Sequence, residues 1–275
     1  MRDGALRDDS MRDGALRDDS MREATGRAEA LTRYLGERTE DGVAFEVDAR
    51  LRPDGRSGPL VRSIEGFNEY FEREPNGIAV WERQALTRAR FVAGDAQTAA
   101  RLMASIRHVA FPTIWRDGWS DELRHIKGRV ENERASKGAK SGEVYDVKLG
   151  PGALSDIEWM AQWLAMKNGA RFPMLQTPNT LRQIEAARDC GLLSEHDAKV
   201  LRDAYVFLRR AELRLQITQE QAARAPKKES REWISWARSL FPDENEEAAS
   251  AKFEEQWHMS THASRQVMEQ VRDAL

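Results

Sequence analysis

The sequence predicts a mainly α protein in which a short α+β region, one helix plus a few short strands, leads into a helical bundle. Three observations carry this expectation. Apolar residues recur at helical spacing through the second half, as in Leu201, Ala204, Tyr205, Leu208, Ala211 and Leu215. A single stretch, residues 45–52, alternates strictly between apolar and charged side chains, the period of a half-buried strand. Charged residues make up 32% and hydrophobic ones 40% of the 275 residues, which suits helices with heavily charged outer faces.

Taken in order, residues 1–10 are repeated as residues 11–20. So short and polar a unit is no solenoid repeat and holds no apolar signal core, and a disordered leader is expected over 1–22. A helix is expected over 23–36 from Ala28, Leu31 and Leu35, with turn residues from Thr39 to Gly42. In the strand over 45–52, Phe45, Val47, Ala49 and Leu51 share one face; Glu46, Asp48, Arg50 and Arg52 share the other. Pro53-Asp54-Gly55 is turn chemistry and Pro59-Leu60-Val61 offers a returning strand, so a hairpin or short meander is expected.

Helical pattern follows over 64–74, 81–91 and 96–109, with Gly94-Asp95 as a break. Pro112, Gly118 and the Lys-, Ser- and Gly-rich stretch 135–142 flank a polar helix, and that stretch is a candidate flexible loop. A boundary near Arg116 divides an α+β domain over 23–116 from a bundle over 117–275. In the bundle, Ser155 and Glu158 have capping-box spacing ahead of a stripe of Ile157, Met160, Ala161 and Leu164. Thr177 precedes Pro178 at an expected first helical position, with Leu181 and Ile184 inward and Gly191 as the stop. Another helix is expected from Ser194, and a last one over 247–275. The eight tryptophans, Trp159 and Trp163 among them, are read as packing residues.

Composition also excludes. A formal net charge of -3 gives no support to a nucleic-acid partner, and no apolar run approaches the roughly 20 residues that span a bilayer. Cys190 is the sole cysteine, so no internal disulfide can form, and a reducing cytoplasm fits.

Asp48 with Arg50 and Arg52 on one strand face is the pattern a magnesium-nucleotide site uses: a carboxylate holds a hard cation while guanidinium groups pair phosphate oxygens. From pattern alone a solvated outer strand face explains the same residues. Glu82 and Arg88 to Arg90 are open to two readings, positioning of nucleotide or a helical charge network. Asp156 and Glu158 are expected at a helix N-terminus as cap and dipole partner, and His258 and His262 on an incidental helix face.

The segment 45–61 resembles the second signature of bacterial glutamine synthetase adenylyltransferases, V-D-x-R-L-R-P-x-G followed by G-x-L-V. The resemblance continues in order. Residues 81–95 look like W-E-x-Q-A-L-x-R-A-R-x-V-A-G-D, and residues 147–159 are similar to K-L-G-x-G-G-x-x-D-I-E-F. Asn179-Thr180-Leu181 and residues 204–209 match later family elements, so the similarity covers roughly residues 28–221.

The resemblance implies a partial nucleotidyltransferase region followed by a helical bundle. It further implies transfer of AMP from ATP to a tyrosine of glutamine synthetase, or its removal by phosphorolysis, with Mg2+ held by carboxylates. On this analogy Asp48 is a catalytic, metal-holding carboxylate and Arg50 and Arg52 contact phosphate. Glutamine synthetase is the implied partner, with a PII-type nitrogen-signalling protein as a further one. The family's first signature, Gly-Ser with D-x-D on a strand, is expected upstream of residue 28, where the duplicated decapeptide stands. Asp8-Asp9 and Asp18-Asp19 are adjacent and would point to opposite faces of a strand, so an incomplete two-metal site is expected. Ala153, Leu213 and residues 221–223 also depart from the family pattern. A non-catalytic helical module docking on glutamine synthetase or a nitrogen-signalling protein is the alternative.

Overall fold

Ten helices and one two-stranded hairpin appear in a computed structural model that describes residues 3–40, 42–43, 45, 47–72, 78–135, 139–218 and 226–274, with side chains from residue 18. Glu46, the end of the helix expected over 64–74, the middle of the loop 135–142 and residues 221–223 fall outside the described residues. The chain forms two compact units. One takes in the chain up to Glu82 together with Gly94–Ser105; the other takes in Arg83–Ala93 and everything from Ile106 on. That division is not a single cut near Arg116.

In the first unit, α1 runs Asp3–Gly36, so helix stands where a disordered leader was expected over 1–22. The repeat holds Ala, Leu, Arg and Met, good helix formers, beside Asp and one Gly and one Ser per unit, and its opposite charges fall three and four residues apart, where helix neighbours attract. Arg22 pairs with Asp19 at 2.9 Å and Arg27 with Glu23 at 2.5 Å. The hairpin β1 (Arg38–Thr39) and β2 (Gly42–Val43) pairs Arg38 with Val43 and Thr39 with Gly42, around the predicted turn residues.

The expected strand over 45–52 does not form among the described residues: 45, 47 and 48 are irregular, 49–52 are turn and bend, and 59–61 form no returning strand. Burial explains the first failure. Alternation specifies a strand only where one face meets a core, yet Phe45, Val47 and Leu51 are 64%, 40% and 74% exposed. Local hydrogen bonds then win. The Asp48 carboxylate accepts the Arg50 backbone N–H at 3.0 Å, an Asx-type bend, and Asp54 (φ 61) and Gly55 (φ 56) turn left-handed into a 3-10 turn over Gly55–Ser57.

Helix α2 (Ile64–Phe71) is capped by Ser63, whose hydroxyl accepts the Gly66 N–H, and it buries Tyr70 and Phe71. Helix α3 covers Val80–Leu86, shorter than the expected 81–91. It closes early because the Thr87 hydroxyl bonds the Gln84 carbonyl at 2.6 Å, while Arg88 and Ala89 donate to Ala85 and Leu86 in i→i+3 turns. Helix α4 (Ala96–Ala110) starts on Asp95, which accepts the Thr98 N–H at 2.7 Å.

The second unit holds α5 (Trp119–Glu133), α6 (Leu154–Asn168), α7 (Thr180–Asp189), α8 (Glu195–Thr218), α9 (Arg231–Leu240) and α10 (Glu246–Ala274). Helix α10 packs on α8, α9 and α6, and α7 packs on α6 and α8. The predicted stripe of α8 is buried throughout, as are Ile157, Met160, Ala161 and Leu164 of α6 and Ile184 of α7. Four tryptophans, Trp163, Trp233, Trp236 and Trp257, are buried as expected, while Trp81 is exposed.

Two caps differ from expectation. Asn179, not Thr177, caps α7 by accepting the Arg182 N–H at 3.0 Å, so Pro178 sits ahead of the helix. At α6 the Ser155 hydroxyl makes no cap; instead Asp156, three residues past the N-cap Ala153, reaches back to accept the Gly152 N–H at 2.8 Å. Helix α9 was not singled out from sequence, although Ser230 as cap and Trp233, Trp236, Ala237 and Leu240 as its buried face mark it.

Candidate functional site

The first unit brings the predicted site residues to one open cleft of about 480 Å³, lined by Val47, Asp48, Ala49, Arg50, Arg52 and Arg56. They meet through a bend rather than along a strand face. The Arg50 guanidinium grips the Asp48 carboxylate with Nε at 2.8 and 2.9 Å and Nη2 at 2.5 Å. Those bonds, the Arg50 backbone bond and the nearby Arg56 charge hold the Asp48 carboxyl well below its usual range, at about 2. Arg52 has a different task. Its guanidinium donates to the carbonyls of Ala49, Arg56 and Gly58 and staples the loop. Arg56 lines the cleft without having been singled out, because it lies past the turn where the alternation stops.

Among the described residues, Asp48 is the one carboxylate of this lining, and no group of three His, Cys, Asp or Glu side chains is placed to hold a metal ion. Mg2+ is ordinarily held through one or two carboxylates plus substrate phosphates. As described, this lining offers a single carboxylate already clasped by arginine, and those residues do not by themselves fit a two-metal site.

The other matched motifs converge in the second unit, on Glu158. Its Oε1 accepts the Tyr205 hydroxyl at 3.1 Å, is bonded by Arg209 Nη2, and lies 3.9 Å from Arg88 Nη1. Arg88 also donates to the Thr180 hydroxyl at 3.1 Å. Partial burial disfavours the Arg209 charge, but the Tyr205 hydrogen bond and the Glu158 charge outweigh it and raise the Arg209 pKa. Arg88 lies past the end of α3 and its partners are tertiary, Glu158 and Thr180, so the helical charge network expected for it does not form. Glu82, in the first unit, accepts the Tyr70 hydroxyl at 2.6 Å and the Ala79 N–H at 3.1 Å, a local clasp of the same kind.

The motif at residues 147–159 is also packing. A Cβ on Gly152 (φ 72) would stand 1.8 Å from the Thr261 carbonyl oxygen, so only glycine lets the loop lie against α10. Asp156, wholly buried, is bonded to Arg265 at 2.9 Å and paired with Lys127 at 2.5 Å. His258 faces Glu254 at 3.7 Å.

A family model described as glutamate-ammonia ligase adenylyltransferase matches residues 7–105, and one described as GlnD PII-uridylyltransferase matches residues 124–272. A bifunctional glutamine synthetase adenylyltransferase/adenylyl-removing enzyme of Nitrosococcus oceani is 38% identical over 194 residues, 70% of this chain and 19% of that protein. The chain belongs to the glutamine synthetase adenylyltransferase family. Enzymes of the same name from Mycobacterium marinum and Streptomyces coelicolor are 39% and 41% identical, over 67% and 60% of this chain and 18% and 16% of their own lengths. The chain thus spans about a fifth of the length of the curated adenylyltransferases it matches. Both family matches run through helical segments, and no described helix is long and apolar enough to cross a membrane.

Proposed function

We propose that this chain acts, within the cytoplasm, in the nucleotidyl transfer that controls glutamine synthetase: AMP passes from ATP to a tyrosine of that enzyme, or leaves it by phosphorolysis. The observation that supports this reading is the cleft of Asp48, Arg50, Arg52 and Arg56, placed on the segment that carries the family signature. Arg50 and Arg56 offer guanidinium groups for phosphate oxygens. Arg52 fixes the loop that presents them. Asp48, ionised at every physiological pH, exchanges its bond to Arg50 for a corner of the magnesium-ATP complex. Because one carboxylate does not make a two-metal centre, these residues are assigned binding and orientation, and no bond-making step is derived from them.

The bundle is proposed as the docking part, facing glutamine synthetase and a PII-type signalling protein. The match of residues 124–272 to a model named for a PII-uridylyltransferase supports that assignment. Neither nucleic acid nor membrane is proposed as a partner.

Calorimetry of magnesium-ATP on the purified chain, beside an Asp48→Ala variant, tests the cleft, and mass spectrometry of glutamine synthetase tests transfer. Binding that the variant loses, with a tyrosine gaining or shedding AMP, is the expected result. Binding without transfer leaves a nucleotide-holding element only; no binding to the chain removes the cleft from the reading and leaves the docking role alone.

A further inference from the structure

Helix α5 places Arg124, Lys127, Gly128 and Glu131 on one face, at i, i+3, i+4 and i+7, and that face looks onto a cavity of about 170 Å³ in the second unit. Trp159, Met160 and Trp163 of α6 form one wall and Met268 and Val271 of α10 another. An apolar cavity of roughly 150 Å³ admits benzene, so this space is of the size for one ring or one branched chain.

Gly128 is the unexpected member. It sits inside a 15-residue helix, where glycine costs about 1 kcal/mol relative to alanine. Its own protein gives no steric reason for it, since an added Cβ would meet nothing within 4 Å. The missing side chain leaves room on the cavity side and serves no packing contact.

The cavity is also electrically lopsided. Lys127 and Arg265 are absorbed by Asp156 and Glu131. Arg124 and Arg272 are not so held. Their ion partners, Asp121 and Asp273, are 82% and 71% exposed, so water screens those pairs and a ligand carboxylate can replace them. The Arg124 guanidinium also lies 5.9 Å from the Trp163 ring centroid and donates to the Arg272 backbone carbonyl at 3.2 Å, which holds the Arg124 cation at the cavity that Arg272 also lines.

We infer that this cavity binds a small apolar monocarboxylate, its ring or branched chain between Trp159, Met160, Trp163 and Met268 and its carboxylate against Arg124 and Arg272. The site is separate from the Asp48 cleft, and neither proposal depends on the other.

Phenylacetate and 4-methylpentanoate, with 2-phenylethanol and acetate as controls, are titrated into the full chain by calorimetry and ligand-observed NMR. At least one of the two apolar acids should bind at least tenfold more tightly than either control, and Arg124→Gln with Arg272→Gln should remove that preference. Gly128→Leu should abolish binding, with folding verified by circular dichroism. Gly128→Ala should weaken binding while raising the unfolding midpoint, a combination that a purely structural glycine would not give. The inference is overturned if neither acid binds, if the neutral alcohol binds as well as the acids, if Gly128→Leu binds unchanged, or if Gly128→Ala lowers the midpoint.

Discussion

Lys127 and Asp156 form an ion pair of 2.5 Å in which the two side chains are only 5% and 0% exposed. Asp156 also carries Arg265 and the Gly152 N–H, so its one carboxylate joins α5, α6 and α10. Asp156→Ala would leave Lys127 and Arg265 to share Glu131 beside a buried void, and breaking such a buried pair costs about 3–5 kcal/mol. Urea unfolding should show a loss of that size. Lys127→Met combined with Asp156→Leu should cost less than the sum of the two single changes, because the double variant leaves no lone charge of this pair.

Glu158 does the same work for Arg83–Ala93, a sequence-remote part of its unit. Its partners are partly exposed, so the loss on Glu158→Gln is discounted to about 1–2 kcal/mol. Hydrogen exchange should rise in residues 83–93 before it rises in the α8 stripe. Unchanged exchange there would mean that Arg88 is held by Thr180 alone.

Much of this fold was legible because burial enforces period. The α8 stripe, the start at Ser194, the stop at Gly191 and the last helix follow from apolar spacing and cap chemistry, and all are observed. The strand over 45–52 misled because its alternation is real but Phe45, Val47 and Leu51 find no core among the described residues. Local bonds from Asp48 and Arg52 decided that backbone instead. The residues of the candidate cleft were legible from the resemblance and from charge pattern; their arrangement was not. That Arg52 staples a loop depends on carbonyls as far as Gly58, which no spacing rule reveals. The Lys127–Asp156–Arg265 cluster was invisible for another reason: its members lie on three helices far apart in sequence.

Asp48 supplies a pH prediction whose sign follows from its partner. A carboxyl lowered from 3.8 to about 2 by Arg50 contributes stability above the ordinary value and loses it as pH falls through the folded one. The group is open to solvent, so no change in the global unfolding transition is expected. The observable is local. A carbon-detected NMR titration should place the Asp48 midpoint near 2, and Arg50→Gln should return it toward 3.8. A midpoint that ignores the substitution would show that Arg50 does not hold the carboxylate in solution.

Helix α1 supplies the last prediction. From Asp18 to Gly36 no described side chain is buried, and Leu31 and Tyr34 are 58% and 78% exposed. A helix that is polar all round is held by its backbone bonds and its i,i+3 and i,i+4 pairs, each of the latter contributing about 0.2–0.5 kcal/mol and weakening in salt. The bundle, by contrast, rests on buried apolar area that salt does not screen. Circular dichroism on heating should therefore show two losses of helical signal, with the earlier one moving to lower temperature in 1 M sodium chloride. A chain lacking residues 3–22 should lose amplitude from the first transition and keep the second at the same temperature. One cooperative transition that shortening shifts as a whole would instead mean that α1 is coupled to a partner surface, and its exposed Leu31 and Tyr34 would be the first residues to test for that contact.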